Sequence, residues 1–303
     1  MNLSKTTPLK RQAYFKKLNS RSMVNIKGKV LVIGGAEDKN GNSDRFSNTT
    51  ILERFIDETR QKKRSRIEII TSASSIPEEV GKDYLKIFKK LGAENCGALI
   101  MRTRQEADDP ANIERLKKAD AVYATGGSQL ALTSTLGGTE FYKLLTEKLQ
   151  EPDFVYAGTS AGAAAASESM IIQGGSTEAA YKGEVTTATG LGLVKDIVFD
   201  THFIERGRIA RLFEVVVSNP AVLGVGLEEN TALLIHRNKM EAVGTGMGIL
   251  LDGRRITNSN LLEVVEGAPL SIENMTLHLM SEHDIFDLKD MKLKILNPPE
   301  AEV

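Results

Sequence analysis

From residue 29 onward, short apolar runs alternate with longer amphipathic ones, and this alternation restricts the possible folds more than anything else in the chain. Residues 29–33 (Lys-Val-Leu-Val-Ile), 67–70 (Ile-Glu-Ile-Ile), 97–101 (Gly-Ala-Leu-Ile-Met), 121–124 (Ala-Val-Tyr-Ala) and 154–157 (Phe-Val-Tyr-Ala) read as strands. Helical patterns fall between them at 51–61, at 111–118 and at 78–90, where Val80, Tyr84, Ile87 and Phe88 share one face. Short apolar strands alternating with helices make a parallel sheet covered by helices on both sides. After residue 222 the pattern changes to short strands and turns at 231–235, 241–244, 248–251, 261–265 and 275–280. With no Pro/Gly/Ser-rich linker before them, these are expected to complete the same domain. The expected organisation is one α/β domain over 25–303, preceded by a flexible basic arm over 1–24. That arm carries Lys5, Lys10, Arg11, Lys16, Lys17 and Arg21 and no acidic residue.

Composition removes several function classes. A chain of 303 residues, 41% of them hydrophobic, can bury a sizeable core. A net charge of −1 gives no reason to expect nucleic acid or a membrane surface as a partner. No apolar stretch approaches the roughly 18 residues of a membrane span, and the basic arm lacks the apolar segment of a secretory signal. Cys96 is the only cysteine, so no internal disulfide forms and a reducing, cytoplasmic compartment is expected. Beside a strand, it reads as a small buried hydrophobe rather than a nucleophile.

Ligands of parallel sheets bind beyond the carboxyl ends of the strands, which directs attention to four turns. These are Gly34-Gly-Ala-Glu-Asp-Lys39, Ser72-Ala-Ser-Ser75, Gly126-Gly-Ser-Gln129 and Gly158-Thr-Ser-Ala-Gly162. The last joins an apolar strand to a small-residue helix start and puts Ser160 at the turn. A strand–turn–helix of this kind strains the backbone and lifts the serine hydroxyl clear of the sheet, with unpaired N–H groups beside it. G-x-S-x-G alone also fills ordinary turns; the flanking strand and helix favour a nucleophile. The first turn lacks G-x-G-x-x-G, no P-loop is present, and His202, His236, His278 and His283 show no metal-ligand spacing. No cofactor and no metal are expected.

A catalytic serine needs a base. His236 and His278 lie in strand-like runs and His283 in a solvated turn. His202 ends the apolar run at 197–199, next to Asp200, and precedes a helical stretch with Glu205, Arg206, Arg208 and Arg211. On that helix Ile209, Leu212, Phe213 and Val216 form the expected buried stripe, leaving Arg208 and Arg211 together on another face as a carboxylate clamp. A carboxylate to orient the histidine is available from Glu228 or Glu229, and periodicity does not choose between them.

Five blocks in this order resemble the cyanophycinases of serine peptidase family S51, which also includes α-aspartyl dipeptidase. They are Gly34-Gly-Ala-Glu-Asp, Thr125-Gly-Gly-Ser-Gln129, Gly158-Thr-Ser-Ala-Gly162, the stretch from Asp200-Thr-His-Phe to Arg211-Leu, and Gly224-Val-Gly-Leu-Glu-Glu-Asn-Thr-Ala232. The resemblance implies Ser160 as nucleophile, His202 as general base and acid, and Glu229 as its carboxylate partner. It implies oxyanion donors at the Gly127 and Ala161 N–H groups and substrate contacts at Gln129, Asp200, Thr201, Arg208 and Arg211. The implied fold is a flavodoxin-like or class I glutamine amidotransferase-like sandwich, with a mostly parallel central sheet and extra C-terminal strands, usually a homodimer. The implied substrate is cyanophycin, a poly-aspartate with arginine on each β-carboxyl, cut to β-Asp-Arg dipeptides. Thr201 stands where these enzymes usually carry glutamine, and Ser128 where an acid or its amide is common. An aspartyl or isoaspartyl peptidase of other specificity, and a catalytically silent binding protein on the same fold, are the alternatives.

Overall fold

A computed structural model describes residues 26–36, 51–175 and 180–296. The basic arm at 1–24 and the Glu37-Asp38-Lys39 part of the first turn lie outside the described residues.

The strands β1 (Lys29–Ile33), β2 (Ile67–Ile70), β3 (Cys96–Leu99), β4 (Ala121–Ala124) and β5 (Val155–Thr159) form the parallel centre of a nine-stranded sheet. Their spatial order is β1-β5-β4-β2-β3, all parallel. Both faces are covered, and the period of two shows it. Val30 and Val32 of β1 enter one core and Leu31 and Ile33 the other; Val122 and Tyr123 of β4 divide likewise. The second core holds Phe55, Tyr84, Phe88 and Tyr123, whose rings meet at centroid distances of 4.9–6.3 Å. The covering helices include α1 (Ile51–Glu58), α2 (Pro77–Lys90), α3 (Arg104–Ala107), α4 (Pro110–Lys118), α5 (Gln129–Leu136) and α6 (Glu140–Lys148).

The remaining strands extend the large sheet, build a second sheet of four strands, and form two separate two-stranded pairs. Here β6 (Ser169–Gln173) and β7 (Thr186–Thr189) form a hairpin of their own. Strands β10 (Thr231–His236) and β11 (Lys239–Gly244) extend the large sheet antiparallel beyond β1. By contrast β8 (Ile197–Thr201), β9 (Leu223–Leu227), β12 (Gly248–Asp252) and β15 (Thr276–Met280) build a separate four-stranded sheet, with β8 parallel to β9. Between them, β13 (Asn258–Ser259) and β14 (Ile272–Glu273) pair with each other. The strand expected at 261–265 is a series of turns, with Leu262 89% exposed, because no partner strand covers its apolar side chains. One core contains Val32 and Leu233 of the large sheet together with Phe199, Val225 and Leu250 of the small one. Under the small sheet's other face lies α8 (Ile209–Ser218), whose Leu212 and Val216 pack with Val198, Phe203 and Ile249.

Candidate active site

The serine turn forms as a strained elbow. Ser160 follows β5 with φ 49° and ψ −106°, and the helix α7 (Ala161–Ala165) starts at the next residue. A non-glycine residue held there costs on the order of 1–3 kcal/mol, so its neighbours must fix it. They do: Ser160 N donates to Ile33 O at 3.0 Å and Ala164 N to Ser160 O at 3.0 Å. The flanking glycines allow the close approach, since a Cβ on Gly158 would sit 2.5 Å from Gly162 O, and one on Gly162 would sit 2.4 Å from Ala124 O. Beneath the turn the buried Tyr156 hydroxyl donates to Gly162 O at 2.8 Å. Burial raises the pKa of that phenol, so it stays a neutral donor.

His202 follows β8, as Ser160 follows β5, at the carboxyl end of a strand. Its Nε2 lies 3.1 Å from Ser160 Oγ and its Nδ1 2.6 Å from Glu229 Oε1. A carboxylate only accepts, so Nδ1 carries the proton and Nε2 presents its lone pair to the serine hydroxyl. Of the two adjacent acids Glu229 is the one turned to the histidine; the Glu228 carboxylate accepts from Met247 N at 2.7 Å instead.

The turn after β1, one of the four strand-end turns, is the seat of this arrangement. His202 N donates to Gly34 O at 2.9 Å and Asn230 N to Gly35 O at 3.1 Å. A Cβ on Gly35, which has φ 110°, would lie 2.3 Å from His202 Cε1. Glycine at 35 therefore lets the imidazole lie flat against the backbone. The glycine pair directly after the first strand is the signal in the sequence, which marks the turn as a ligand-side loop without showing that it seats the histidine.

The Gly126-Gly127 loop borders the serine: a Cβ on Gly126 would stand 3.4 Å from Ser160 Cβ. Ser128 N donates to Ala73 O at 2.8 Å, which ties this loop to the 72–75 turn, and the Ser128 hydroxyl caps α5. Gln129 sends one Nε2 hydrogen to Ile171 O at 2.8 Å, which leaves its amide oxygen and its second N–H for other partners.

Around Asp200 the arginines are placed differently from what helix phase alone predicts. Arg211 is turned inward, 9% exposed, and grips the 3%-exposed Asp200 with both prongs, Nε to Oδ2 at 2.6 Å and Nη2 to Oδ1. Arg208 donates from Nη1 to Thr201 O at 2.6 Å and stands 3.5 Å from Asp200 Oδ1. Burial, then the neighbouring Arg211 charge, lower its pKa to about 10, with Asp200 opposing; it remains a cation at neutral pH. The two guanidiniums therefore do not stand free side by side: Arg211 is already engaged by Asp200, the acid expected to meet substrate. Helix phase does not relate the two arginines, because Arg208 precedes the helix. Residues 203–208 form turns and α8 begins only at Ile209, which is 39% exposed rather than part of the buried stripe.

The remaining candidates fall elsewhere. His236 Nδ1 lies 3.3 Å from Gly28 O, and the His278 ring meets the Phe286 ring tilted at 60°, 5.2 Å between centroids. Cys96 is half-buried on β3, donates to Ala93 O at 3.2 Å, and has its thiol pushed up to about 12 by burial and then by Glu68. Among the described residues no group of His, Cys, Asp or Glu is arranged to hold a metal ion, and no helix is long and apolar enough to cross a membrane.

The family model for peptidase family S51 matches residues 30–243. The cyanophycinase of Trichormus variabilis is 35% identical over 278 residues, covering 91% of each chain. Those of Synechococcus elongatus and Geminocystis herdmanii are 34% and 33% identical, covering 90% and 87% of this chain and 84% and 95% of theirs. A crystal structure of a peptidase from an acI-B1 actinobacterium superposes with a TM-score of 0.58 at 19% identity, over 84% of this chain and 96% of that one, and so shares the fold. The chain therefore belongs to peptidase family S51 and is a serine peptidase.

Proposed function

We propose that this peptidase hydrolyses cyanophycin from the chain end to β-Asp-Arg dipeptides, using Ser160, His202 and Glu229 as its catalytic triad. The observation that carries the triad is the unbroken relay from Glu229 Oε1 through the imidazole to Ser160 Oγ, at 2.6 and 3.1 Å. His202 takes the hydroxyl proton as Ser160 Oγ attacks the carbonyl carbon of the scissile amide. The resulting oxyanion sits against the Gly127 and Ala161 N–H groups, the latter in the first turn of α7, where no intrahelical acceptor exists. Protonated His202 then gives its proton to the leaving amine, and water repeats the cycle on the acyl-enzyme. Glu229 holds the tautomer throughout and stabilises the imidazolium.

Substrate choice is supported by the name shared by the relatives and by the charge around the site. Arg208 is half-buried, engages Asp200 only at 3.5 Å, and is the guanidinium better placed to meet a substrate carboxylate. Arg211 serves by holding Asp200 and the end of β8. We further propose that the enzyme is cytoplasmic and that residues 25–303 belong to one domain, readings supported respectively by its single half-buried cysteine and by the core that its two larger sheets share; that it works as a homodimer rests on the family resemblance alone. Incubation with cyanophycin, followed by mass spectrometry, tests the substrate. Release of β-Asp-Arg is expected; cleavage of simple aspartyl or isoaspartyl dipeptides with cyanophycin untouched would replace this reading with the other specificity.

A further inference from the structure

Glu205 lies in the turns that follow His202, exposed to solvent and outside the relay just described. Its Oε1 accepts a hydrogen bond from Glu229 N at 2.9 Å. The same turn region thus supplies the histidine at one end and, three residues later, grips the backbone of the residue that orients that histidine.

Glu229 needs such an anchor. Its side chain is 34% exposed, and it sits in a turn whose next residue, Asn230, has φ 53°. On the C-terminal side the turn is held by Asn230 N donating to Gly35 O at 3.1 Å. Glu228, one residue earlier, is held by its N–H to Met247 O at 3.2 Å and by its carboxylate to Met247 N. Between these two anchors the Glu229 N–H has Glu205 as its acceptor. An acceptor here fixes the peptide plane, and the peptide plane sets where the Glu229 carboxylate points. Distance to an imidazole is sensitive to such rotation, and catalytic hydrogen bonds tolerate little displacement.

We infer that Glu205 is a positioning residue of this enzyme: by accepting from Glu229 N it holds the Glu229 carboxylate against His202 Nδ1. The inference rests on the triad reading, with Glu229 as the carboxylate. Glu205 touches no reacting atom in this role; what it contributes is an acceptor oxygen at the right reach, not a charge.

That distinction sets the experiment. Glu205→Ala removes the acceptor, whereas Glu205→Gln keeps a carbonyl oxygen at the same reach and removes only the charge. Both are measured on the full chain, for kcat and KM on cyanophycin and for the rate of fluorophosphonate labelling of Ser160. Melting temperature is the control for folding. For Glu205→Ala, kcat and the labelling rate should fall together by roughly three- to tenfold, the effect of one ordinary hydrogen bond, with KM and melting temperature unchanged. Glu205→Gln should retain most of both rates. Wild-type kcat in Glu205→Ala overturns the inference. So does an equal loss in Glu205→Gln, which would mean charge matters rather than the acceptor, and so does a change confined to KM, which would make Glu205 a substrate contact. Glu229→Gln separates this from the underlying reading. If that variant stays fully active, the triad reading falls and Glu205 with it. If it is crippled while Glu205→Ala is not, only the role of Glu205 is lost.

Discussion

Replacing Arg211 by Ala should destabilise the protein, and this is the sharpest test of how the arginines are used. The substitution leaves Asp200, 3% exposed, without its two-pronged partner. Removing one member of a buried ion pair typically costs about 3–5 kcal/mol, because the other charge stays buried. Asp200 keeps its contact with Arg208 at 3.5 Å and the Thr201 N–H at 2.9 Å, which puts the loss near the lower end, about 3 kcal/mol. A protein of this size shifts by about 2 °C per kcal/mol, so the melting temperature should fall by about 6 °C. Arg211→Lys keeps the charge but loses the planar fork, and should cost about 1–2 kcal/mol. Thermal melts of both variants at neutral pH, with an Asp200→Asn double-mutant cycle, measure the pair directly. If Arg211→Ala melts with the wild type while its kcat/KM on cyanophycin collapses, the guanidinium belongs to substrate and the structural role argued here is wrong.

Four further outcomes are expected. Ser160→Ala should reduce kcat by on the order of 10⁴–10⁶ without altering the melting temperature; near-normal turnover would end the serine mechanism. Gly35→Ala places a methyl group 2.3 Å from His202 Cε1 and should depress kcat far more than Glu205→Ala does, with an unchanged far-ultraviolet spectrum showing that the sheet survives. Cys96, with its thiol pushed up to about 12, should resist iodoacetamide at pH 8 in the native protein and react quickly once unfolded; rapid native labelling would contradict its placement. Dialysis against EDTA should leave hydrolysis unchanged, and activity lost and then restored by a divalent ion would reveal a metal that this mechanism does not use.

The parallel centre of the fold was legible in the apolar runs alone. Strands such as residues 29–33 and 121–124 are apolar at every or nearly every position, and only a sheet covered on both faces buries all of them. The sequence also marked Ser160, because a strand, a sharp turn and a small-residue helix leave a hydroxyl at the carboxyl edge of the sheet. Other features depended on contacts between residues far apart in the chain. Glu228 and Glu229 are equivalent in local pattern; only the approach of β8 beside β9, with Gly34-Gly35 behind them, turns Glu229 to the histidine. The division of the C-terminal strands among separate sheets was likewise invisible, since alternation gives a strand its two faces but not its neighbours. The arginines show the limit most clearly. Helix phase treats Arg208 and Arg211 as members of one exposed face, but the helix starts at Ile209, and a buried carboxylate on β8 draws Arg211 inward. A buried charge takes the nearest opposite charge that can satisfy it, and which one is nearest is decided by tertiary structure.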